Sequence, residues 1–71
     1  MATKADGCPS YDKAAQDEPI FVLRAQDRLS YLIVRYWIML AEEAGVNDKK
    51  LEEARRCEAA MREWSNQKTP D

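Results

Sequence analysis

Two thiols are the only strong nucleophile candidates in this chain, and neither has a base to activate it. Cys8 sits in a Gly-Cys-Pro loop, Cys57 lies 49 positions further on, and the 71 residues include no histidine. Without CxxC spacing or a His partner, neither a zinc site nor a thioredoxin-like redox pair is indicated. Cys57 falls on an apolar helical stripe, where a cysteine behaves as a small hydrophobe. The carboxylates Asp17, Glu18, Asp27, Glu42 and Glu43 lack the His or Cys neighbours that a transition-metal site needs. No Gly-rich phosphate loop and no GxSxG elbow occurs, and so short a chain leaves little room for a water-excluding pocket. The expectation is a protein with no catalytic residues, no cofactor and no metal.

The residues with binding chemistry are of another kind. Arg24, Arg28 and Arg35 lie in or just before the apolar run LSYLIVRYWIMLA of residues 29–41, which also carries Tyr31. A guanidinium bridges carboxylates bidentately or stacks on rings, and Tyr, Trp and Arg are the types most enriched at binding hot spots. Arg24, Arg28, Tyr31 and Arg35 are therefore the candidate partner-binding residues. The run itself is too short and too charged for a membrane span, which needs about 20 apolar residues. It is also too apolar all round for one wall of a small monomer, so its surplus surface should meet protein.

Eleven basic and thirteen acidic side chains give a formal charge of −2. That is neither the dense positive field of a nucleic-acid binder nor the strong negative one of a DNA mimic. All of the acidic excess sits in residues 1–18, where Asp6, Asp12, Asp17 and Glu18 outnumber Lys4 and Lys13, and residues 19–71 are balanced. The opening Met-Ala-Thr-Lys has no apolar stretch behind it, so no secretory signal is expected, and two reduced thiols suit a cytoplasmic protein. An apolar fraction of 45% and a charged fraction of 34% are globular values.

The elements follow from local chemistry. Residues 1–18 read as a flexible arm, with a helical turn near residues 11–16. Pro19 disfavours helix at Glu18, and the β-prone Ile20-Phe21-Val22-Leu23 predicts an extended, strand-like segment over 19–25. Asp27 or Ser30 can cap a helix over 28–44 that ends at Gly45, and Asn47 or Asp48 a second over 48–64. Residues 65–71 read as a flexible tail. The fold class is mainly α: a helical hairpin with a short N-terminal extended segment, completed as a homodimer because so small a chain buries only about 60% of its unfolded surface.

At about 100° per residue, Leu29, Ile33, Tyr36, Trp37, Leu40 and Ala44 share one broad face of the first helix, expected to be the core. Tyr31, Val34, Ile38 and Ala41 share nearly the opposite face. Val34, Ile38 and Ala41, with Phe21 and Leu23 from the extended segment, are the expected dimer interface. No second β-prone run exists in the chain, so residues 20–25 should pair with the same segment of another subunit. The second helix has one stripe of Leu51, Ala54, Cys57, Met61 and Trp64. Glu52, Arg55, Arg56, Glu58, Arg62 and Glu63 read as its solvated side.

Residues 17–64 carry EPIFVLRAQDRL at Glu18 to Leu29, a Trp-containing helix, the Ala44-Gly45-Val46 turn and a second charged helix. This arrangement resembles a group of small phage- and prophage-encoded proteins that share an EPxFxLRAQDxL segment. Within that group it is most similar to the quorum-sensing anti-activators that some temperate phages direct against LuxR-type regulators. The resemblance implies a small helical dimer that occupies the DNA-binding region of a host LuxR-type transcription factor and can also bind a type IV pilus assembly ATPase, in the cytoplasm of the infected bacterium. The competing reading is a phage structural or assembly homodimer with no host target.

Overall fold

The computed structural model describes residues 3–70 and is mainly helical, with α1 at Pro9–Lys13, α2 at Ser30–Glu43 and α3 at Asp48–Arg62. The turn between α2 and α3 forms for identifiable reasons. Gly45 takes φ +79°, the left-handed conformation that costs glycine least. That lets the Val46 N–H reach the Ala41 carbonyl and the Gly45 N–H reach that of Glu42, closing α2 with a Schellman motif. Two residues later Asn47 caps α3 by accepting a hydrogen bond from the Lys50 N–H at 2.9 Å. So short a link between two capped ends gives the expected antiparallel hairpin.

The start of α2 differs from expectation. Leu29 is its N-cap and supplies no side-chain cap. Asp27 acts one step earlier, its Oδ1 accepting from the Leu29 N–H at 2.8 Å. Ser30 instead turns its hydroxyl backward and donates to the Arg24 carbonyl at 2.8 Å. At 1% exposure it is the most buried residue described, so the bend at residues 24–30 is pinned through a hydroxyl whose hydrogen bond is made.

The tail also departs from the sequence reading. The Lys68 N–H donates to the Gln26 carbonyl at 2.8 Å and the Arg28 N–H to the Lys68 carbonyl at 3.1 Å, forming an isolated parallel bridge between Asp27 and Lys68. The Gln67 amide donates to the Met61 and Arg62 carbonyls at the end of α3, where the Met61 carbonyl also accepts from the Trp64 N–H at 3.3 Å. Residues 67–68 are thus a strap closing the open end of the hairpin rather than a loose tail. An antiparallel hairpin brings the start of α2 and the end of α3 to the same end, which makes this closure reachable.

Residues 19–25 form no strand, and residues 20–23 make no backbone hydrogen bond among the described residues. The physical reason is the one visible in the sequence: the chain offers no second β-prone segment to pair with. The helical turn of the arm lies at Pro9–Lys13, slightly earlier than expected. The apolar core is small, consisting of Ile38, Ala41 and Leu51. No helix among the described residues is long and apolar enough to cross a membrane.

Candidate partner-binding surface

Both sides of α2 are apolar, and the structure uses the side opposite to the one expected. Ile38 and Ala41 are buried and Tyr31 and Val34 half-buried on the side turned to α3. The face expected to be the core is exposed: Leu29, Ile33, Tyr36, Trp37 and Leu40, flanked by Leu32, range from 42% to 60% accessible. Val34, Ile38 and Ala41 are therefore taken up by the hairpin and are corrected as dimer-interface residues.

Charge pairing across the hairpin accompanies this choice. Arg35 and Glu42 flank the Tyr31-Val34-Ile38-Ala41 side. The Arg35 guanidinium donates to Glu58 Oε1 at 2.9 Å, and Arg55 donates to Glu42 at 3.3 Å. Turning α2 the other way would have left these groups without their partners across the hairpin. Glu58, expected on the solvated side of α3, is buried as a result, with Arg62 at 3.7 Å as a second cation. The signal was present in the sequence as two charges on one side of α2 facing their complements on α3, but apolar periodicity alone does not weigh it.

The four candidate binding residues divide into two pairs. Arg35 is held by Glu58 across the hairpin while its side chain stays about half exposed, and its guanidinium carbon lies 5.4 Å from the centroid of the Tyr31 ring one turn earlier on α2. Arg24 and Arg28 are exposed, and among the described residues their guanidinium groups make no ion pair or hydrogen bond. Their backbones are fixed, however, since the Arg24 carbonyl accepts from Ser30 and Asp27, and the Arg28 N–H is held by the strap. Both cations thus stand on an anchored bend preceding α2, and Arg24 also borders the hollow beside α3.

The extended segment lies beside α3. Leu23 is half-buried and lines a hollow of about 350 Å³ with Ala25, Cys57, Ala60, Met61 and Trp64. Phe21, by contrast, is 86% exposed. The total accessible surface is 6129 Å², whereas a folded monomer of this mass, 8.2 kDa, should expose about 4,500 Å². The α2 face and the apolar Ile20-Phe21-Val22 segment contribute to that excess. Neither a family model, nor a curated protein, nor a solved structure matches this chain.

Proposed function

We propose that this protein is a non-enzymatic, phage-encoded inhibitor that works as a homodimer in the host cytoplasm. Its target is the DNA-binding region of a LuxR-type quorum-sensing transcription factor, with a type IV pilus assembly ATPase as a second partner. The observation that carries the reading is the uncovered apolar face of α2, a surface of the kind that marks interaction sites. The segment over residues 18–29 that resembles the phage anti-activators supports the choice of target, and it contains both Arg24 and Arg28.

The roles divide between surfaces. The outer face of α2 from Leu29 to Leu40 is apolar without a charged side chain, which suits packing against its own copy. Six large side chains roughly half exposed approach the scale of one side of a standard interface, about 800 Å². With Phe21 and its neighbours paired to the same segment of the second copy, the open backbone of residues 20–23 would be satisfied. Arg24 and Arg28 then flank the dimer and engage acidic or aromatic groups of the regulator, excluding promoter DNA by occupancy and not by imitating phosphates.

The test is a purified LuxR-type regulator bound to its promoter fragment, titrated with this protein. Release of DNA together with direct calorimetric binding is the expected result. An unchanged DNA complex with no heat of binding overturns the inhibitor reading. If that negative result is accompanied by a stable dimer, the assembly-protein reading takes its place, since the charge-free α2 face suits it equally.

A further inference from the structure

Cys8 and Cys57 are both free thiols, the first exposed and the second half-buried. Far apart in sequence, they line the same open groove of about 860 Å³, between the N-terminal arm and α3, together with Tyr11, Phe21, Leu23 and Met61. The hydrogen bonds of the arm among the described residues are local: Asp6 to Thr3, Gly7 to Lys4, Asp12 to Cys8, Ala14 to Tyr11, and Glu18 with Ala15. None ties residues 3–18 to the hairpin among the described residues, and α1 packs on neither α2 nor α3. The arm lies along the groove without being fastened to it.

We infer that Cys8 and Cys57 form a reversible disulfide that fastens the arm across the groove under oxidising conditions. The oxidant is a small-molecule disulfide such as oxidised glutathione. The thiolate of one cysteine attacks it and releases one reduced glutathione, leaving a mixed disulfide. The second protein thiolate then attacks the protein sulfur of that bond and releases the second reduced glutathione. The protein loses two hydrogens and the oxidant gains them. A disulfide needs Cα atoms within about 7 Å, and the unfastened arm is what allows Cys8 to reach that distance. Closure narrows the groove over Met61, so access to it becomes redox-dependent.

The experiment is incubation of the full chain with oxidised glutathione, native and in urea, read by intact mass and peptide mapping. The expected product is lighter by two hydrogens, maps to a Cys8–Cys57 linked peptide, and forms faster in the native protein than in urea, because folding brings the two thiols to one groove. Amide exchange of residues 9–13 should slow on oxidation. In Cys8→Ser and Cys57→Ser the product should instead be heavier by one glutathione, with exchange unchanged. A disulfide between two copies, persistent mixed disulfides in the wild-type chain, or a rate in urea equal to the native rate would each overturn the latch.

Discussion

Arg35 and Glu58 meet across the hairpin at 2.9 Å, the carboxylate only 11% exposed and the guanidinium about half exposed. Glu58 is a charge drawn out of water, and it is tolerable there because Arg35 and Arg62 both face it. Breaking a fully buried pair costs about 3–5 kcal/mol. Here the solvent reaching Arg35 and the second cation reduce that to about 1–2 kcal/mol. Arg35→Ala should therefore lower the melting temperature by several degrees, roughly 4–8 °C per kcal/mol at this size. Calorimetric melting checks it. An unchanged midpoint would return Arg35 to the set of surface residues available for a partner.

The reversal of the two α2 faces gives a paired prediction. Ile33→Glu places a charge on the exposed face, so the hairpin should keep its helicity while a dimer through that face dissociates. Light scattering should then read about 8 kDa instead of about 16, the single-chain mass being 8.2 kDa. Ile38→Glu buries an unpaired charge between α2 and α3, at a cost of several kcal/mol, and should unfold the chain as read by circular dichroism. A wild-type monomer at low micromolar concentration would remove the dimer altogether.

If residues 20–23 pair with their copies in that dimer, their amides should exchange slowly in the wild type and rapidly in Ile33→Glu. Rapid exchange in both, with both helices protected, would show that the segment stays unpaired in the dimer.

The strap and the turn offer two stability tests. Gly45→Ala meets no steric neighbour but forces a side chain into the left-handed region, costing about 1 kcal/mol. Gln67→Ala removes the side-chain amide bonded to the Met61 and Arg62 carbonyls, again worth about 1 kcal/mol. Urea denaturation should resolve both as shifts in midpoint with an unchanged slope.

The hairpin was legible because its signals are local: Gly45 at the helix end, Asn47 at the next start, and the i,i+4 pairs Glu52–Arg56 and Glu58–Arg62, both formed at 3.7 Å. The orientation of α2 was not, because a helix apolar on both sides has no preferred side until its partner is placed. The tertiary pairs Arg35–Glu58 and Arg55–Glu42 are formed on the buried side, and neither is visible in the periodicity of α2. The strap was invisible for a similar reason. Nothing in Ser65-Asn66-Gln67-Lys68 shows that the end of α3 returns beside residues 26–28. Of the candidate binding residues, Arg24 and Arg28 keep that candidacy because they precede α2, where no α3 side chain claims them.

Those two arginines carry the last prediction. Both are exposed and without a side-chain partner among the described residues, on a bend fixed by Ser30 and by the strap. Removing their side chains should therefore leave the fold alone, since exposed charges contribute little to stability. Lost hydrogen bonds to charged groups of a partner cost more, about 1.5–3 kcal/mol each, which corresponds to at least a tenfold weakening. The double variant Arg24→Ala/Arg28→Ala should thus bind the regulator at least tenfold more weakly by calorimetry, with melting temperature and dimer mass unchanged. Neutralising Asp6, Asp12, Asp17 and Glu18 in the arm should have little effect on binding. If the arginine variant binds like the wild type while the neutralised arm does not bind, the protein works as an acidic decoy through its arm, and the assignment to Arg24 and Arg28 is wrong.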